Sequence, residues 1–136
     1  MALTYNNAQH RVYLELMDRV SDNWLLVFDN NTEFFSAPYW DLLRGLWRQS
    51  APIRKTDAMA FMRSVKSAHT AGKLIDAAIG AGFLVEHENP KDARSKLLGL
   101  SVATRTRIDE VFDMAVTEIR KAEREIENKG PLTDDI

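Results

Sequence analysis

Hydrogen-bond donors are concentrated at the start of one predicted helix in the middle of the chain. Ser67 is a plausible N-cap, and the helix that follows it is predicted to end at Gly80-Ala81-Gly82. Donors on the first turns of an exposed helix can bond to base edges and phosphates in the major groove of DNA. The candidate DNA contacts are Lys66, Ser67, His69, Thr70 and Lys73.

A second set of charged side chains falls at the tip of a predicted hairpin. Residues 83–88 and 95–100 have the composition of two strands, and Asn89-Pro90-Lys91-Asp92 between them is typical of a turn. Basic groups at such a tip can reach an adjacent minor groove or the phosphate backbone. The basic residues at or near this tip are Lys91, Arg94 and Lys96.

Helical elements must position both sets. We predict a short helix over 56–62 with Thr56 as its N-cap, followed by the helix that starts after Ser67. Two short helices, a glycine stop and a hairpin form a winged helix-turn-helix. Another helix is predicted over 36–49.

Long amphipathic helices flank this unit, one over 6–28 and one over 101–128. Apolar residues of the second are spaced alternately by four and three, the seam of a coiled coil or tight helix pair. These are Ile108, Phe112, Ala115, Ile119, Ala122 and Ile126. The predicted fold class is mainly α with a small β-hairpin wing, in which long N- and C-terminal dimerisation helices flank the winged helix-turn-helix.

The charge distribution agrees with a local basic surface. The chain has 136 residues, enough for one domain, and a net charge of −2. Residues 53–100 contain eight Lys/Arg and five Asp/Glu, whereas acidic residues outnumber basic ones on both sides. Phosphate binding needs a basic patch rather than a basic whole.

Several classes of function find no support in the composition. The chain has no cysteine, and His10, His69 and His87 lack metal-ligand spacing. No nucleophile–base pair or cofactor loop is recognisable, so we expect no enzyme activity, no catalytic residues, no metal and no cofactor. Without a signal peptide or a membrane-spanning segment, we expect a cytoplasmic protein that does not contact the membrane.

Several short motifs resemble those of one family. Leu74-Ile75-Asp76, Gly82-Phe83-Leu84, residues 89–96 and Leu100-Ser101 resemble the MarR-type (multiple antibiotic resistance regulator) winged-helix transcription factors. The resemblance is sharpest over residues 67–107. It implies that Asp92 and Arg94 are the paired acid and arginine of the wing, and that His69, Thr70 and Lys73 are recognition-helix contacts. It also implies a homodimer formed through the terminal helices.

The dense aromatic residues of the first third have two interpretations. The simpler is that they form core and dimer interface. The other, which the resemblance implies, is a pocket for a small aromatic effector between the dimerisation helices and the DNA-binding lobe. Its candidate lining is Tyr13, Trp24, Phe28, Tyr39 and Trp40.

Our leading hypothesis is a homodimeric repressor that binds a pseudo-palindromic operator and is released by an aromatic ligand. The alternative is a winged-helix protein-interaction module that has lost sequence-specific DNA binding. Ala77 and Ala81 favour it, because relatives commonly carry basic residues there; a small-ligand carrier is a weaker third possibility. The expected division is an N-terminal dimerisation helix (1–35), a DNA-binding lobe (36–100), a C-terminal dimerisation helix (101–129) and a tail (130–136).

Overall fold

The computed structural model describes residues 2–130, and residues 131–136 of the predicted tail lie outside them. Its helices are α1 (Asn7–Val27), α2 (Ala37–Trp47), α3 (Lys55–Met59), α4 (Ala68–Gly80) and α5 (Val102–Asn128), with a 3-10 turn at Thr32–Phe34. Its strands are β1 (Ile53–Arg54), β2 (Leu84–Glu88) and β3 (Lys96–Leu100), which form an antiparallel sheet in the order β1-β3-β2. The predicted mainly helical winged fold is confirmed. Within the described residues, no helix is both long and apolar enough to cross a membrane.

The predicted glycine stop after α4 is confirmed in detail. Gly82 has φ +85°, a left-handed conformation that costs glycine little. Its N–H donates to the Ile79 carbonyl at 3.0 Å, and the Phe83 N–H donates to the Ala78 carbonyl at 3.0 Å. These two bonds form a Schellman motif, which ends α4 and turns the chain directly into β2.

Serine side chains cap the starts of α4 and α5 as predicted. Ser67 accepts a hydrogen bond from the Thr70 N–H at 3.3 Å, and Ser101 accepts one from the Thr104 N–H at 3.1 Å. Each satisfies a backbone donor that the first turn of a helix leaves unpaired. Ser36 also occupies an N-cap position, before α2, but its side chain makes no capping bond.

The start of α3 differs from the prediction. Thr56 is not an N-cap, because the helix begins at Lys55 and Arg54 takes the capping position with extended backbone. The cause is β1, in which Ile53 pairs with Leu98 of the central strand. Pairing extends the chain up to Arg54, so the helix starts immediately afterwards. The sheet of the wing therefore has three strands where the sequence predicted two.

The hydrophobic core lies in the lobe formed by α2, α3, α4 and the sheet, together with the last turn of α1 and the first half of α5. Its side chains exclude water on all sides, and their burial is the main favourable term in folding. The largest almost fully buried side chains are Phe28, Leu42, Leu43, Met62, Ile75, Leu84, Leu98 and Ile108.

Helices α1 and α5 run antiparallel, and polar groups join their far ends. Asn6 and Gln9 form a capping box at the start of α1, in which each side chain bonds to the other's backbone N–H. The same side chains reach α5: Asn6 Nδ2 donates to the Lys129 carbonyl at 2.8 Å, and Gln9 Nε2 donates to the Ile126 carbonyl at 3.0 Å. Two residues therefore serve both the start of α1 and the end of α5.

The predicted seam of α5 is only partly buried within one chain. Ile108 and Ala122 are buried, but Ile119 is 52% exposed. Large apolar side chains also stand in solvent along the far halves of both helices. They are Tyr13, Leu14 and Met17 on α1 and Val116 and Ile119 on α5.

Candidate nucleic-acid interface

Helix α4 has one face in the core and one in solvent. Ala71, Ile75 and Ala78 are buried against the lobe. The opposite face is exposed and carries His69, Thr70, Lys73, Asp76 and Ala77. The donor groups predicted from the sequence lie together at the first half of this face, since Lys66 and Ser67 at its start are also exposed.

The wing presents its charged groups beyond the sheet. Asp92 accepts a hydrogen bond from the Arg94 N–H at 3.0 Å, and its carboxylate lies 3.5 Å from the Arg94 Nε. The Arg94 side chain is nevertheless 95% exposed, so its guanidinium group is open to a further partner. Lys91 is exposed as well, whereas Lys96 forms an ion pair with Glu88.

Ion pairs separate the basic residues of the lobe into two groups. Arg54, Lys55 and Lys96 bind acidic side chains of the same lobe, and Arg94 lies beside Asp92. Within residues 2–130, the remaining basic side chains of 53–100 have no acidic partner within 4 Å; they are Arg63, Lys66, Lys73 and Lys91. Exposed cations without partners are the groups that can bind phosphate at least cost.

Arg63 was not among the candidates from the sequence. It lies in the connection between α3 and α4, three residues before Lys66, and its side chain is exposed. Its position in the connection between the two helices of the helix-turn-helix is visible in the sequence and could have marked it as a candidate phosphate contact. The elements that flank a recognition helix commonly hold phosphates.

The candidate pocket residues do not all come together. Trp24, Phe28 and Trp40 line a cleft of about 360 Å³ between α1 and α2. Tyr13 is not part of it and lies in a different cleft, at the far end of the α1–α5 pair. The separation follows from helix geometry, because Tyr13 and Trp24 are eleven positions apart on α1, which corresponds to roughly 16 Å along the helix axis.

Tyr39 is a core residue rather than a lining residue. The residue is 6% exposed, and its hydroxyl donates to the Leu74 carbonyl of α4 at 3.0 Å. Burial, with a smaller contribution from the Glu33 charge, raises the pKa of the phenol above its ordinary value. Tyr39 therefore joins α2 to the middle of α4.

A larger cleft, of about 640 Å³, lies on the other side of Trp40, between α2 and α5. This cleft was not predicted, because its aromatic rings come from two helices that are more than sixty residues apart in the sequence. At the edge of this cleft, the Arg44 guanidinium lies over the Trp40 ring. The Arg44 Nε is buried and has no hydrogen-bond partner in the part of the chain described. The main apolar lining is Trp40, Trp47, Phe112, Ala115 and Val116. Over residues 2–130, no three His, Asp or Glu side chains are grouped so that they could hold a metal ion.

Solved structures share this arrangement of helices and wing. S. aureus MepR in a complex with DNA aligns with a TM-score of 0.64 at 18% identity, covering 88% of this chain and 90% of that one. The chain has the MarR-type winged-helix fold. RV1404 from Mycobacterium tuberculosis matches this MarR-type fold with a TM-score of 0.64 at 17% identity, over 91% of this chain and 83% of that one. The transcriptional regulator Tm0710 from Thermotoga maritima gives 0.60 at 18% identity, over 82% and 75%.

Sequence comparison adds nothing to this MarR-type assignment. A scan against protein-family models finds no match, and a search of curated proteins finds none either. At identities near 18%, the likeness to the solved regulators is one of fold. Function has to be argued from the surface of α4 and the wing.

Proposed function

We propose that the chain is a DNA-binding transcriptional regulator that acts as a homodimer. The observation that carries this proposal is the exposed face of α4 beside a wing, surrounded by basic side chains that have no acidic partner among residues 2–130. Those side chains are Arg63, Lys66, Lys73 and Lys91. A solved protein of the same fold, MepR, has been captured with DNA, which supports the same use of this surface.

The first half of α4 is the reading element in this proposal. It would enter the major groove with His69, Thr70 and Lys73 toward base edges, while Arg63 and Lys66 hold phosphates. In the second half, Asp76 and Ala77 offer no hydrogen-bond donor side chain. Arg94 and Lys91 of the wing would reach the neighbouring groove or backbone, with Asp92 beside Arg94.

The second copy of the chain is proposed to cover the exposed apolar residues of α1 and α5. Apolar side chains such as Tyr13 and Ile119, 60% and 52% exposed, are the kind that an obligate interface buries. In this proposal residues 1–35 and 101–129 dimerise and residues 36–100 bind DNA. A two-fold dimer would place its two α4 helices about 34 Å apart, matching a pseudo-palindromic site.

Selection from a random DNA pool at stated salt tests the proposal. We expect one pseudo-palindromic sequence to be enriched. Lys73→Met should weaken binding to the selected duplex and reduce the slope of log affinity against log salt by about 1. Arg124→Met removes the same charge from the solvent face of α5 and should leave both values unchanged. If the intact protein enriches no sequence, the proposal fails and the protein-interaction alternative gains.

The cleft of Trp24, Phe28 and Trp40 is the proposed effector site, and repression is the proposed mode. Its volume of about 360 Å³ suits a small aromatic molecule. Titration with benzoate and with phenol should release the selected duplex, and Trp24→Ala should abolish the release. Trp47→Ala, which alters the other cleft, serves as the matched variant. Release that is equal in both variants would place the ligand elsewhere.

A further inference from the structure

One lysine links three elements of the DNA-binding lobe. The Lys55 Nζ lies 2.5 Å from Asp76 Oδ1 and 3.3 Å from Glu86 Oε2. Lys55 is the first residue of α3, Asp76 lies on the exposed face of α4, and Glu86 is in the middle of β2. A single ammonium group therefore connects the first helix of the helix-turn-helix, the recognition helix and the wing.

The backbone on which this lysine stands is fixed to the sheet. Lys55 directly follows β1, in which Ile53 pairs with Leu98. Leu98 in turn pairs with Glu86 on its other side, so Ile53 and Glu86 lie in one row across the three strands. The lysine backbone is thus anchored to β3 through β1, and its side chain ties α4 to the sheet through Asp76.

Burial and charge distinguish Lys55 from the phosphate-binding candidates. Its side chain is 23% exposed, and the hydrogen bond to Asp76 raises its pKa, so the ammonium stays charged and occupied. Asp76 is 65% exposed and lies three residues after Lys73 on the face proposed to approach DNA. Without the lysine, the Asp76 and Glu86 carboxylates would lose their shared cation beside the recognition helix.

We propose that Lys55 is a positioning residue that sets the angle of the recognition helix against the wing through Asp76 and Glu86. This inference rests on the proposed function. In this role Lys55 contacts neither bases nor phosphates, because its ammonium is held by Asp76 and Glu86, so its loss should reduce the discrimination between DNA sequences more than the general affinity for DNA. The salt dependence of binding should not change, because no phosphate contact is removed.

The first experiment measures binding to the selected duplex and to a random-sequence duplex over a range of salt. Lys55→Met should weaken the selected complex by about tenfold, the effect of one mismatched base pair. It should weaken the random complex by no more than about threefold and leave the salt slope unchanged. Lys66→Met is the matched variant: it should weaken both complexes equally and lower the slope by about 1. A Lys55→Met result with that same profile would make Lys55 a phosphate contact and overturn the proposal.

Two further variants separate positioning from charge neutralisation. Lys55→Arg keeps a cation with several donors and should retain discrimination within about threefold of the intact protein. Lys55→Met combined with Asp76→Asn and Glu86→Gln removes the unpaired carboxylates. It does not restore the connection between α3, α4 and β2. Full recovery of discrimination in that triple variant would show that only the charge matters, and positioning would be refuted.

Hydrogen exchange decides the matter even if no DNA sequence is selected. Lys55→Met should speed amide exchange in α4 and β2 by about tenfold, and should leave α1 and α5 unaffected. Arg54→Met removes the neighbouring, more exposed cation and its short-range pair with Asp57, and should leave α4 and β2 within about twofold. Equal exchange in the two variants would overturn the positioning role. A failed DNA selection with the predicted exchange pattern would instead refute the proposed function alone.

Discussion

The winged-helix lobe and the far half of the α1–α5 pair are built on different principles. In the lobe, Leu42, Ile75 and Leu98 come from two helices and a strand, and each is fully buried. Along the far half of the pair, the buried residues are Gln9, Val12 and Ala122, of which only Val12 is a branched apolar side chain. The lobe excludes water within one chain, whereas the pair leaves its larger apolar side chains outside.

The difference implies that the stability of the two regions depends on different conditions. A core closed within one chain lets the lobe keep its shape while its surface carries unpaired charge. Under the proposed dimer, the open apolar surface would make the stability of the pair dependent on a second copy and hence on protein concentration. Substitutions in the two regions should therefore affect different measurements.

The largest effect is expected from opening a cavity in the lobe. Leu98→Ala removes a fully buried side chain from the central strand and should lower the free energy of unfolding by about 2–5 kcal/mol. Urea unfolding at one fixed protein concentration measures it. Leu26→Ala makes the same change at a site 41% exposed and should cost less than about 1 kcal/mol. Equal losses would mean that the lobe core is not closed within one chain.

The next effect concerns association. Ile119→Glu puts a charge on the exposed seam of α5 and should raise the dimer dissociation constant at least about 100-fold, roughly 2.7 kcal/mol. Val102→Glu, at a site 86% exposed in the first turn of α5, should leave association unchanged. Sedimentation equilibrium distinguishes the two. An intact protein that is monomeric at tens of micromolar would contradict the proposed dimer.

A tight contact between α2 and the segment after α3 gives a third, smaller effect. A Cβ at Gly45 would collide with the Phe61 ring, so Gly45→Ala should cost about 1–2 kcal/mol of unfolding free energy. Phe61→Leu in the same chain should recover part of that cost. Gly80→Ala faces open space at the end of α4 and should instead stabilise by up to about 1 kcal/mol. Thermal melts rank the variants, and a neutral Gly45→Ala would show that Phe61 moves freely.

The smallest effect is a pH-dependent one at Tyr39. Tyr39→Phe removes the hydrogen bond to the Leu74 carbonyl and should cost about 1 kcal/mol near pH 7. The folded pKa of Tyr39 is raised, so above the ordinary value of 10.0 the unfolded phenol ionises before the folded one. The intact protein then loses this stabilisation as the pH rises above about 10, and the variant has none to lose, so the difference in unfolding free energy should narrow above that pH. A gap that widens over this range would contradict the buried, neutral phenol.

Helix ends were predictable because their determinants are local. Ser67, Ser101 and Gly82 act through groups within a few residues, and each does in the structure what its type and position indicate. β1 was not predictable, since two residues show no periodicity and their partner strand lies more than forty residues away. Missing it misplaced the start of α3 at Thr56.

The candidate site shows the same division between local and long-range information. The exposure of His69, Thr70 and Lys73 follows from the period of a single helix. The ion pairs of Lys55 join residues 21 and 31 positions apart, and no local pattern reports such a pairing. The sequence therefore predicts which residues face outward, but it does not predict which of them already form ion pairs within the chain.

The double role of Asn6 and Gln9 has a consequence for local opening of the α1–α5 helix pair. Since their side chains hold both the start of α1 and the last carbonyls of α5, neither end can fray without releasing the other. The two termini of the described chain should open as one cooperative unit, with matched amide-exchange rates in the first turn of α1 and the last turn of α5. A substitution in the first turn of α1 would then also change the amide-exchange rates in the last turn of α5.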